Sequence, residues 1–274
     1  MEIQLIKTIV YGIFAAGAIF AGSYVLLHDE RWAKQKTVYF ISFSAGVVLA
    51  TAFLHLLPEA AASYKDTFLV ALVTILAFYV MEHTITIHTC KEGDCEVHTI
   101  GAVAFAGLLF HSFLDGIILG VSMEAHFAVG LAVTLGIMLH KFPVGITITS
   151  LLMHSGYTRK NTIIMSSCVA LATPLGAIMA YGLTQGMTDS TMGLLLAIGA
   201  GSFVYIGASD LIPETHKNFN KTNIALVLGG VLLVYLISHF LGGGHINHDG
   251  HGHESHTESH IEKAVGDNDH GHGH

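Results

Sequence analysis

The chain has 274 residues, 52% of them hydrophobic and only 12% charged, with a mean hydropathy of +0.60. A soluble domain carries roughly 25% charged residues, so this composition excludes a water-covered globule and points to an integral membrane protein. The net charge of −8, carried partly by the C-terminal tail, argues against nucleic acid as a partner.

Crossing a bilayer as a helix takes about 20 apolar residues. In chain order the sequence offers eight such runs, at about 4–27, 38–57, 67–87, 100–123, 127–153, 161–181, 192–212 and 222–241. The first lacks a strongly basic start and a clear small-residue cleavage site, so it reads as a retained helix rather than a signal peptide. The connections are short, which leaves room for one membrane domain, 1–242, followed by a tail, 243–274. The expected fold class is therefore an all-α polytopic membrane protein with eight transmembrane helices.

Orientation follows from the basic residues. The loops after helices 1, 3, 5 and 7 hold Arg31, Lys34, Lys36, Lys91, Arg159, Lys160, Lys217 and Lys221, whereas the other side holds Lys7, Lys65 and Lys263. That bias puts both termini outside the cytoplasm. Cys90 and Cys95 then fall in a cytoplasmic loop where thiols stay reduced, and Cys168 reads as a small packing residue.

Two internal repeats stand out. "AGVVLATAFLHLLPEA" in helix 2 matches "AGSFVYIGASDLIPET" in helix 7, so that His55–Glu59 aligns with Asp210–Glu214. Helix 2 runs outward and helix 7 inward, the inverted arrangement of many secondary transporters, whose substrate site lies near mid-membrane. Helices 4 and 5 give the second repeat, "HSFLDGIILG" against "HKFPVGITIT", pairing His111 with His140 and Gly116 with Gly145. Both histidines sit about a dozen residues into their spans from opposite sides. At about 1.5 Å per residue they share one depth.

Ionisable side chains at that depth are costly and normally face an interior path or a partner. His111 and Asp115, at i and i+4, project from one helix face. With His140 from the next helix they make two imidazoles and a carboxylate, a set suited to zinc and related divalent metals. Pro143 removes a donor from the carbonyl of Leu139, and Pro174 does the same for Ala170, as happens beside polar neighbours or cavities. Gly116, Gly120, Gly136 and Gly145 allow close helix approach. Lys141 adds a cation beside the site, either balancing Asp115 or filling the space of a second metal. A buried His–Asp pair with no metal is the plainer alternative.

Taken together, "LATAFLHLLPEA", "HSFLDG", "HKFPVG", "ATPLG" and "ASDLIPE" resemble the ZIP (Zrt-/Irt-like) family of divalent metal transporters, across nearly the whole membrane domain. The resemblance implies eight helices arranged 3+2+3, with an inverted repeat of helices 1–3 and 6–8 around helices 4 and 5. It also implies termini outside and metal moved into the cytoplasm. Carried over residue by residue, it gives His111, Asp115 and His140 as metal ligands. Two departures matter. Val144 stands where the family has a helix 5 acid, leaving a vacancy for Met123, Met138 or water. Ser112, Lys141 and Thr173 replace the residues that hold a second metal, so one metal is expected, and Ser112 and Lys141 shape the site's electrostatics. The carboxylate-poor set leans toward zinc over manganese or iron.

Topology suggests His55 and Glu59 at the entrance, while the resemblance adds Asp210, Glu214 and His216 at the exit. A cytoplasmic loop with His83, His88, Cys90, Cys95 and His98 could capture metal, although Cys-x₄-Cys is looser than a structural zinc motif. The tail is too polar to bury a core and is expected to be disordered. Its His245, His248, His251, His253 and His256, followed by four more, would bind zinc weakly at many points.

The expected function is uptake of a divalent metal by alternating access, with Zn²⁺ as transported substrate and Cd²⁺, Fe²⁺ or Mn²⁺ as alternatives. No enzyme cofactor is implied. The other expected partners are membrane lipid and a second copy of the chain, and the expected location is a plasma or bacterial inner membrane. The rivals are a metal exporter and an intramembrane zinc-dependent hydrolase, the latter disfavoured by the lack of H-E-x-x-H and of an evident general base.

Overall fold

The computed structural model describes residues 2–89, 97–125, 127–216 and 220–241. Among them every regular element is helical, and eight helices are long and apolar enough to cross a membrane. The protein is an all-helical, multi-pass membrane protein.

We label the eight helices in order. α1 is Glu2–His28, α2 is Glu30–Ser63, α3 is Thr67–Thr89 and α4 is Val97–Ala125. α5 is Phe127–His154, α6 is Arg159–Thr184, α7 is Asp189–His216 and α8 is Lys221–Leu241. Helix 2 starts well before its apolar run. Asp29 caps it by accepting the Trp32 amide at 2.9 Å, which satisfies an otherwise orphaned donor. Arg31, Lys34 and Lys36 therefore occupy a helical extension and not a loop. Thr158 and Thr188 cap α6 and α7 in the same way.

The packing forms two groups. α1, α4, α5 and α6 pack on one another, as do α2, α3, α7 and α8, with α2 against α5 as the largest seam between them. Close approach relies on small residues. A Cβ on Gly116 would run into the carbonyl oxygen of Thr173 in α6, and one on Gly145 into that of Ile19 in α1. Gly136 is different: its nearest neighbours, from Phe203 and Thr51, would stand 3.4 Å from an added Cβ, so it is not a close-packing point.

α2 and α7 share an irregularity. Each contains a π-turn, Ala52–Leu56 in α2 and Ile206–Leu211 in α7, immediately before its Leu/Ile-Pro-Glu sequence. Pro58 and Pro213 cannot donate to the carbonyls four residues back, and the ladder is re-formed one residue wider. Leu57 donates to the Ala52 carbonyl, and Ile212 donates to that of Gly207. These positions differ by the 155 residues that separate Ala45 from Ala200, so the sequence repeat carries the same backbone device at the same place.

Candidate metal centre

His111 and Asp115 on α4 and His140 on α5 converge near the middle of their spans, and their ligand atoms lie within 4.8 Å of one another. The Nε2 atoms of His111 and His140 each stand 3.2 Å from Asp115 Oδ2. Two ligands about 2.05 Å from a tetrahedral ion would be about 3.3 Å apart, so both spacings suit edges of such a polyhedron. Asp115 and His140 are buried, and the His111 side chain is 15% exposed. The rings of His111 and His140 are 5.6 Å apart, and Phe203 of α7 meets His140 edge-on.

The hydrogen bonding of His140 bears on what it can hold. Its Nδ1 lies 2.8 Å from the Gly136 carbonyl, which can only accept, so the ring carries its proton there. In the neutral ring Nε2 is then a lone pair aimed at a carboxylate. In that form two acceptors face each other, and either a second proton on the ring or a metal cation between them resolves the repulsion. A backbone partner that fixes the tautomer in this way is typical of metal-binding histidines.

The neighbouring cation is part of the same cluster. Lys141 has no exposed surface, and its Nζ contacts Asp115 Oδ2 and Ser112 Oγ, both at 2.7 Å. Thr173 of α6 donates to the Ser112 carbonyl at 3.0 Å, so three helices hold the ammonium's surroundings. Of the two expectations for Lys141, pairing with Asp115 is the one seen. Asp115 Oδ1 is buried and has no partner among the described residues. Val144, on the next turn of α5, is half-buried. The Met123 sulfur is packed against Gly130 near the end of α4, and Met138 belongs to the apolar core.

Pro143 behaves as its chemistry dictates: the Leu139 carbonyl it frees accepts from Ser44 Oγ of α2 at 2.8 Å. That bond lies on the α2–α5 seam, one residue from His140.

The other expected positions are not gathered into the cluster. His55 is buried and its Nε2 lies 2.7 Å from Ser238 Oγ of α8, while Glu59 is half-buried. At the opposite end of the bundle, Asp210 and His216 are exposed and Glu214 is half-buried. Asp210 lies within electrostatic reach of Glu82 on α3, which also accepts from the Tyr205 hydroxyl. His55–Ser238 and Asp210–Glu82 are near counterparts under the 155-residue offset, since Asp210 follows His55 by 155 and Glu82 precedes Ser238 by 156. Sequence reasoning did not single out Ser238, Tyr205 or Glu82 as partners, since the 155-residue offset pairs Ser238 with His83 and Tyr205 with Ala50.

Of the residues expected in the loop, His83 instead lies within α3, exposed, with its ring 4.3 Å from that of Tyr79. His88 and His98 belong to the ends of α3 and α4. Cys90 and Cys95 lie outside the described residues, as does the whole tail from 242 onward, including His245, His248, His251, His253 and His256.

Fold and cluster together define a class: a polytopic helical membrane protein with a buried group able to hold a cation at mid-depth. Comparison with known proteins narrows it. The family described as ZIP zinc transporter matches residues 88–238, more than half of the chain, and the chain belongs to that family. It is 26% identical over 159 residues to zinc transporter SLC39A7 of Mus musculus, covering 54% of this chain and 33% of that protein. Over 135 residues it is 30% identical to zinc transporter zipt-7.2 of Caenorhabditis elegans, covering 47% and 29%. A third relative, "uncharacterized zinc transporter P8A3.03" of Schizosaccharomyces pombe, is 28% identical over 170 residues, covering 57% and 36%. The matched region spans about a third of the length of these relatives.

Proposed function

We propose that this protein takes up divalent metal, zinc foremost, and moves it into the cytoplasm by alternating access through one mid-membrane site. The observation that carries the reading is the convergence of His111, Asp115 and His140, whose ligand atoms lie within 4.8 Å of one another at mid-span. His111, Asp115 and His140 are the ligands, and the ion takes the place of the water that the surrounding apolar helices exclude. Zn²⁺ suits two imidazoles and a carboxylate better than Mn²⁺ or Fe²⁺, which take more oxygen; Cd²⁺ would compete. The family membership and the relatives' names support a transporter over an enzyme.

On this reading the 3+2+3 order describes two inverted three-helix repeats about α4 and α5, supported by the matched π-turns. His55 and Glu59 serve the outer end. Asp210, Glu214 and His216, joined by Glu82, serve the inner end. Both termini face outward, and the histidine-rich tail concentrates metal at the entrance as a polar segment separate from the membrane domain.

The test is zinc uptake into cells expressing the full chain and His111→Ala at matched surface expression. Uptake by the parent that disappears in the variant supports the proposal. Equal uptake in both, or none in either, removes His111 from the path and brings export forward. Locating the C-terminus then decides, because an exporter would keep its metal-collecting tail in the cytoplasm.

A further inference from the structure

Lys141 has no exposed surface, and it touches the oxygen a bound metal would use. We propose that Lys141 is a tethered counter-cation: it shares the Asp115 carboxylate with the transported ion and speeds its release, setting turnover and not capture. The inference rests on His111, Asp115 and His140 being the transport site.

The ammonium and the carboxylate are 2.7 Å apart and both buried, so their charges cancel. A metal bonded to Oδ2 at about 2.0 Å would stand at most about 4.7 Å from Nζ, given that 2.7 Å contact. Water does little to screen the two cations from each other, since the Lys141 and Asp115 side chains are 0% and 1% exposed. The ammonium cannot easily retreat, because Ser112 Oγ holds it from the other side and Thr173 fixes the Ser112 carbonyl. Asp115 Oδ1, buried and without a partner among the described residues, lets the carboxylate bridge a fixed cation and a mobile one. Loading therefore places two like charges on one carboxylate, and unloading relieves them. Lys141 weakens the loaded state relative to the empty one.

A purely structural ion pair would also be buried and short, so the test must separate the two. We would measure zinc uptake against concentration for the full chain, Lys141→Met and Lys141→Arg, with rates normalised to surface protein. Lys141→Met should lower KM about tenfold and lower the maximal rate per molecule, because relieved repulsion tightens the ion and slows its departure. Lys141→Arg keeps the charge and should stay near the parent in both. An unchanged KM, with or without a lower rate, means a structural pair and overturns the proposal. A higher KM, meaning that Lys141 aids capture, overturns it too.

If Lys141→Met does not reach the membrane, Lys141→Gln, which can still donate to Ser112, is read in the same way. For that variant purified in detergent, added zinc should raise the Tm more than it does for the parent, as tighter binding to the folded state requires. An equal or smaller rise again overturns the proposal. Uptake that survives His111→Ala sinks the site itself. Uptake lost there, with KM unchanged in Lys141→Met, sinks only the role of Lys141.

Discussion

Asp115→Asn probes how the membrane interior tolerates the charged cluster. The Lys141 ammonium sits 2.7 Å from Asp115 Oδ2, with 0% and 1% of the two side chains exposed. The amide oxygen can still accept from the ammonium, as Ser112 does, but the buried cation is left without a counter-charge. Breaking a buried pair from one side costs about 3–5 kcal/mol. For a chain of this size each kcal/mol corresponds to about 2–4 °C, so Tm should fall on the order of 10 °C. The double variant Asp115→Asn/Lys141→Met removes both charges and should recover most of the loss. The assay is thermal unfolding of detergent-purified protein in the presence of a chelator, run beside zinc uptake at matched surface expression. Stability and transport should separate: the double variant regains Tm and stays inactive. A single variant as stable as the parent, or a double variant no better than the single, would refute the argument. Either result would mean that other groups compensate the ammonium.

Other expectations follow from particular contacts. Ser44→Ala leaves the Leu139 carbonyl without its donor and should cost about 1–3 kcal/mol; adding Pro143→Ala restores an N–H, so the double variant should show the higher Tm. Gly116→Ala drives a methyl group into the Thr173 carbonyl and should destabilise by about 1–3 kcal/mol, with uptake reduced although no ligand has changed. Val144→Glu adds an oxygen ligand one turn from His140, and competition uptake should show Mn²⁺ gaining on Zn²⁺. Ending the chain after Leu241 removes the histidine-rich tail. That should raise the external zinc concentration for half-maximal uptake and leave the maximal rate unchanged.

The membrane class, the eight spans and the His111–Asp115–His140 cluster were legible because each rests on a short-range rule. Apolar length marks a helix, i to i+4 spacing marks a face, and charge at apolar depth marks an interior group. Helix ends were less so. Run length put the start of helix 2 at residue 38, but an Asp29 cap starts it at Glu30, because capping depends on polar residues that hydropathy ignores. The π-turns were not read from the sequence: the repeat matched Pro58 with Pro213, but only the backbone shows a ladder re-formed by Leu57 to Ala52 and Ile212 to Gly207 bonds. Gly136 looked like a packing glycine and instead supplies the carbonyl that fixes the His140 tautomer. Partners from distant helices, such as Ser44 for Leu139 and Glu82 for Tyr205, left no local trace, since side-chain contacts between helices follow from packing.

The loss of an acid at Val144 and the presence of Lys141 act in the same direction. The charges of Asp115 and Lys141 cancel. A divalent ion then arrives with its full charge uncompensated. At the separation of at most about 4.7 Å set by the 2.7 Å Lys141–Asp115 contact, repulsion between ion and ammonium is about 7 kcal/mol for an effective dielectric near 20. The carboxylate and the imidazoles must offset that, so the site holds its ion weakly for its ligand number. Weak holding suits the uptake proposed above, in which the ion must be released on the far side, but it makes loading dependent on local supply. On that proposal the nine histidines between His245 and His274 would be the supply, and removing them should cost most when external metal is scarce.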